Sequence, residues 1–128
     1  MRVLVADDSL AVRERLVFMM TEIDGVDDVD AATDAHEAIL CIDEKMPDLL
    51  ILDLRMPKGG GFEVLRHTRS KGRSRPVTIV LTNYPRQSYR EKCFSFGAHY
   101  FLDKSNEFEE AVNIVKGLVR SIRKGASQ

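Results

Sequence analysis

Leu49-Leu50-Ile51-Leu52-Asp53 is an apolar run that stops on a carboxylate, with Pro47 shortly before it and Pro57 shortly after. So short a run, without polar alternation, reads as a strand covered on both faces. A lone carboxylate inside such a strand would be costly to bury, so Asp53 belongs at the strand's end, facing solvent, a metal or a substrate.

Other runs repeat the pattern on either side. Arg2-Val3-Leu4-Val5-Ala6 is followed by Asp7-Asp8-Ser9, whose residue types suit a helix N-cap. Val77 to Thr82 ends on a hydroxyl, and Tyr100-Phe101-Leu102 runs into Asp103-Lys104. A weaker strand, Val26 to Ala32, is broken up by Asp27, Asp28 and Asp30, as suits a sheet edge. Between the strands lie helical stripes. Val12, Leu16, Met19, Met20 and Ile23 share one face, with Gly25 as the stop. Ala35, Ala38, Ile39, Ile42 and Met46 share another, closed by Pro47. Phe62 and Leu65 follow the run Gly59-Gly60-Gly61, which permits positive φ and close backbone approach. Tyr89, Cys93 and Phe96 precede Gly97, and the Phe94/Phe96 pair is expected in the core. Phe108, Ala111, Val112, Val115, Val119 and Ile122 mark a last helix, whose Arg120, Arg123 and Lys124 suit the negative end of its dipole. Ile114 and Leu118 widen that stripe, either by deeper packing or as a partner surface with the fourth helix and fifth strand.

Five strands alternating with five helices predict an α/β domain: a doubly wound, five-stranded parallel sheet with helices on both faces. The domain is expected over residues 1–124, with 125–128 a frayed tail. With 128 residues, 44% apolar and 30% charged, the composition is that of one soluble domain, without the ~20-residue apolar run of a membrane span. No signal-peptide pattern follows Met1, so a cytoplasmic setting is expected. Cys41 and Cys93 lack metal-ligand spacing and are read as buried, reduced thiols. A net charge of −1 disfavours direct nucleic-acid binding.

In such sheets ligands bind outside the carboxyl ends of the strands. Asp7, Asp8, Asp53, Thr82 and Lys104 should therefore converge on one edge. Three neighbouring carboxylates repel and would raise their pKa values or recruit a cation, and oxygen donors without His or Cys point to Mg²⁺. Thr82 and Lys104 opposite that ion would suit a phosphoryl group, with Asp53 as nucleophile.

The chain resembles the receiver domains of two-component response regulators. Carriers of the likeness are Asp7-Asp8-Ser9, Leu52-Asp53-Leu54-Arg55-Met56-Pro57 with Gly61, Thr82, and Gly97 to Lys104. The resemblance implies a flavodoxin-like sheet and transfer of a phosphoryl group from a histidine kinase, or a histidine phosphotransfer protein, to Asp53. It implies Mg²⁺ held by Asp8, Asp53 and the Arg55 backbone carbonyl, with Asp7 joining through water. Thr82 and Phe101 take the switch positions, and Lys104 binds the phosphoryl group. Output is expected in trans through protein contacts from a stand-alone, chemotaxis-regulator-like signalling module that is not otherwise an enzyme. The alternatives are a phosphorelay intermediate and a degenerate scaffold. A haloacid-dehalogenase-type phosphatase would want an acidic residue where Arg55 stands, and Asp7 and Asp8 would repel the phosphate of a flavodoxin-like FMN binder. Four residues depart from the family pattern or sit where the family tunes phosphoryl lifetime. Ser105 stands where a cis proline is common, Asn83 where a small residue is usual, and Arg55 and Tyr84 lie two residues beyond Asp53 and Thr82. Arg55 is expected to reach Asp53, Asp7 or Asp8 and to compete with metal.

Overall fold

The computed structural model describes residues 1–126. Five strands alternate with five helices along the chain: β1 (Arg2–Ala6), α1 (Leu10–Thr21), β2 (Asp28–Ala32), α2 (Ala35–Lys45), β3 (Leu49–Leu52), α3 (Gly60–Arg69), β4 (Val77–Thr82), α4 (Gln87–Ser95), β5 (Tyr100–Asp103) and α5 (Phe108–Ala126). A single 3₁₀ turn, Gly72–Ser74, joins α3 to β4. All strands pair in parallel in the order β2-β1-β3-β4-β5. The order reverses between β1 and β3, which opens a crevice where their carboxyl ends part.

Strand alternation divides the core in two. Leu4, Ala6, Leu50, Leu52 and Val80 point to the face covered by α2, α3 and α4. Val3, Val5, Leu49, Ile51, Ile79 and Leu81 point to the face covered by α1 and α5. Every residue of β3 is buried, as a central strand in a two-sided sheet requires. The acid-rich β2 is an edge strand, but it begins at Asp28, two residues later than its sequence pattern.

The apolar stripes hold in the middle of helices and fail at their ends. α1 stops at Thr21, and Gly25, with φ of 101°, closes the turn that follows. Met46 is 62% exposed because it is the left-handed C-cap of α2 and not a member of its buried face. Phe94 and Ile122, expected inside, are exposed on α4 and α5. Cys93 is buried and its thiol is pushed up to about 12 by burial, whereas Cys41 is only half-buried; both are unbonded. Ile114 and Leu118 are half-buried against the α1/α5 core. α5 continues through Ala126, past the boundary expected at Lys124. The side chains of Arg123 and Lys124, and all of Ser127 and Gln128, lie outside the described residues. No described helix is long and apolar enough to cross a membrane.

Candidate functional site

The sheet's hydrogen bonding runs one residue beyond the strands and fixes the acidic residues that follow. The Asp7 N–H donates to Ala32 O at 3.1 Å, and the Asp53 N–H donates to Ala6 O at 2.9 Å. Both side chains are buried, at 2% and 6% exposure, while Asp8 is exposed. Lys104 is held the same way, its N–H donating to Thr82 O at 2.8 Å. From there its ammonium crosses the crevice to Asp7 Oδ2 at 2.6 Å and Asp53 Oδ2 at 3.2 Å. Asp7, Asp8 and Asp53 each present an oxygen within 4.8 Å of the others. Thr82, fully buried, ends β4 level with Asp103 on the same edge. Residues separated by up to 97 positions are thus brought to one crevice.

Charge is unbalanced there. Burial raises the Asp53 carboxyl to about 6; the Lys104 ammonium works against the shift and the Asp7 carboxylate adds to it. Burial also disfavours the Lys104 ammonium, but its bonds to Asp7 and Asp53 outweigh that and hold it above its ordinary value. One ammonium faces three carboxylates, and their oxygens form a donor set without nitrogen or sulfur. Two buried carboxylates and an exposed third suit a hard divalent cation such as Mg²⁺, which keeps part of its hydration shell.

Two loops frame the crevice. Ser9 caps α1 by accepting from the Val12 N–H, and its own N–H donates to Asp7 Oδ1 at 2.8 Å, so Asp7 is oriented by the turn it opens. After β3, Lys58, Gly59 and Gly60 all take positive φ, and Gly61 follows with its N–H on Leu54 O. The turn carries Arg55 past the site, and Arg55 joins Asp8, Leu54, Met56, Pro57 and Gly60 in lining an open cavity of about 530 Å³.

The Arg55 side chain does not take the expected place. Its N–H donates to Asp53 Oδ1 at 3.3 Å, but its guanidinium stacks on the Tyr84 ring at 3.9 Å and makes no ion pair with Asp7, Asp8 or Asp53. Lys104 already pairs with Asp7 and Asp53, and the exposed guanidinium gains from a ring face at van der Waals distance instead. Tyr84 donates its N–H to Thr82 Oγ1 at 3.0 Å, so the stack is tied to the Thr82 hydroxyl. Asn83 is exposed. No described peptide bond is cis, so Lys104–Ser105 is trans, and Ser105 bonds Asp103 Oδ1 through both its N–H and its hydroxyl. Phe101 is packed inward at 7% exposure.

Arg13 was not anticipated. Its Nη1 donates to the Asp7 carbonyl at 2.9 Å and ties α1 to the acidic turn. The signal was weak, because an arginine one turn into an amphipathic helix ordinarily reads as a solvated face.

A family model of the response regulator receiver domain matches residues 3–116. Over 130 residues the chain is 36% identical to the virulence transcriptional regulatory protein PhoP of Salmonella typhimurium, covering 100% of this chain and 56% of that protein. Over 120 residues it is 38% identical to the response regulator MprA of Mycobacterium avium, covering 94% of this chain and 51% of that protein. The chain therefore spans about half the length of these curated relatives. Among solved structures, the signal receiver domain of NarL from Mycobacterium tuberculosis superposes with a TM-score of 0.83 at 28% identity, covering 93% of this chain and 95% of that one.

Proposed function

The chain belongs to the response regulator receiver domain family, and we propose that it is a phosphoacceptor switch in which Asp53 takes a phosphoryl group from a phosphohistidine. The observation that carries this reading is the Lys104 ammonium bridging buried Asp7 and Asp53 at the carboxyl edge of the sheet, with Asp8 alongside.

An ionised Asp53 Oδ attacks phosphorus; the O–P bond forms as the donor's N–P bond breaks, and the departing imidazole takes up a proton. Hydrolysis of the acyl phosphate returns free Asp53 and inorganic phosphate. Lys104, already 3.2 Å from Asp53, pairs with a phosphoryl oxygen and spreads the charge. Asp8, Asp53 and the Arg55 carbonyl would hold Mg²⁺, with Asp7 joining through water, and the ion would neutralise phosphoryl oxygens when bound. Thr82 turns its hydroxyl from Tyr84 to the phosphoryl group. Because Phe101 is packed inward beforehand, the rearrangement falls to the segment from Asn83 to Arg86.

The donor is a histidine kinase or a histidine phosphotransfer protein, and the output is a protein contact. The surface that best supports such a contact is an open cavity of about 670 Å³ between α4, β5 and α5, where Arg90, Phe94, Tyr100 and Ile114 are accessible. Phe94 is exposed there and half-buried Ile114 lines the same cavity, which leaves apolar surface for a partner.

Incubation with Mg²⁺ and acetyl phosphate tests the proposal. Intact mass should increase by one phosphoryl group, and the increase should be lost with Asp53→Ala or with chelator. An undiminished adduct on Asp53→Ala would overturn the assignment.

A further inference from the structure

The charge of this chain is strongly segregated, and the phosphoacceptor reading does not use that. Residues 1–65 carry fifteen Asp or Glu against six Lys or Arg, whereas residues 66–92 carry eight Lys or Arg against Glu91 alone. A net charge of −1 conceals an acidic first half of the chain and a basic middle.

Contacts join Arg69, Arg75, Arg86 and Lys92 into one surface. Arg69, at the end of α3, donates to Ser95 O at the end of α4 at 3.1 Å. Arg75 lies against Gly97, where an added Cβ would be 2.7 Å from its Nη1. Lys92 of α4 sits 4.2 Å above the Phe62 ring of α3, and Phe62 packs edge-on against Tyr89 and Phe96, both at 6.1 Å. The result is a half-buried aromatic ridge beneath a rim of cations. Lys71 is paired with Asp43, but Arg66, Arg69, Arg73, Arg75, Arg86 and Lys92 meet no carboxylate within 4.0 Å among the described residues.

Helix dipoles account for part of this. Arg66, Arg69 and Lys92 lie in the last turns of α3 and α4, where cations are favourable. Arg73 and Arg75 lie outside any α-helix. Arg86 is the N-cap of α4, at the helix's positive end, with no side-chain cap bond and no acid in the first turn. A cation there opposes its own helix, and its guanidinium lies 6.0 Å from the centre of the Tyr89 ring, on the same aromatic ridge.

We propose that the α3–α4 face docks an acidic segment of a partner protein, one that presents carboxylates to the arginine rim and apolar side chains to the Phe62–Tyr89–Phe96 ridge. A phosphate backbone would satisfy the same cations, but it extends far beyond the patch and would run beside the acidic remainder of the chain. A compact acidic segment need cover only the patch. Apart from Arg86, which ends the segment that responds to phosphorylation, this surface lies away from the Asp53 crevice, and the unphosphorylated chain should dock.

The test is an NMR titration of the unphosphorylated chain with a short peptide of repeating Glu-Glu-Leu units, and in parallel with a short DNA duplex. The peptide should shift amides within 66–75 and 86–97, with an affinity that falls as salt rises. The double variant Arg69→Glu/Lys92→Glu should weaken binding about five- to tenfold. Both side chains are exposed, and an unchanged spectrum elsewhere shows that the variant is folded. No shifts, shifts centred elsewhere, no loss in the double variant, or a duplex bound as tightly as the peptide would each overturn the proposal.

Discussion

At the Asp53 carboxyl, desolvation and the neighbouring Asp7 carboxylate act against the Lys104 ammonium. An apolar run ending in Asp announced its place, as the runs before Asp7 and Lys104 announced theirs. What the run could not give is the balance at the carboxyl, where burial outweighs Lys104 and leaves it at about 6. A carboxyl raised in the folded state contributes stability that is present below its unfolded value of 3.8 and lost as pH rises through about 6. Asp53→Asn should therefore stabilise the metal-free protein at pH 8 by about 1–3 kcal/mol, and the gain should fade towards pH 4, as urea unfolding in chelator will show. Equal stability of the two proteins at pH 8 would remove the desolvated carboxylate from the account. The Arg55–Tyr84 stack was hidden for a different reason: side-chain direction in two loops decides it, and no periodicity encodes that. The stack joins the loop after Asp53 to the Thr82 hydroxyl through Tyr84, so Tyr84→Ala should hasten loss of the phosphoryl group by about two- to tenfold, read from decay of the adduct.

Helices and strands were readable wherever a period repeats and unreadable where it ends. β3 and the middles of α1, α2 and α5 follow their patterns, because one buried face repeats over several turns. Their termini are set by caps. Met46 looked like one more apolar position, but its φ of 49° makes it a C-cap that glycine would fill without strain. Met46→Gly should stabilise the protein by about 0.5–1 kcal/mol, since little packing is lost at an exposed site and the strain relief exceeds the added chain entropy. Gly61 is the opposite case. A Cβ there would lie 2.6 Å from Asp53 O and 2.7 Å from Leu54 Cα, both of them backbone atoms. Gly61→Ala should cost about 2 kcal/mol or more in chemical denaturation and should weaken Mg²⁺ binding, because relief must displace the turn that carries Arg55.

Across the molecule, composition and alternation gave the class of fold, and the handedness of parallel crossovers gave helices on both faces. The strand order β2-β1-β3-β4-β5 then makes the crevice, since it parts β1 and β3 on opposite sides of the reversal and leaves Asp7 and Asp53 facing Lys104. The segregation of charge was countable in the sequence, but only the packing of α3 against α4 shows that Arg69 and Lys92 share one surface. All of this rests on Asp53 as the residue that carries the phosphoryl group. Borohydride reduction of the acetyl-phosphate-treated protein, followed by peptide mapping, locates an acyl phosphate directly because it converts the modified aspartate to homoserine. Homoserine is expected at position 53 alone and only when Mg²⁺ was present. Homoserine at position 7 or 8, or none in a protein that has gained a phosphoryl group, would contradict it.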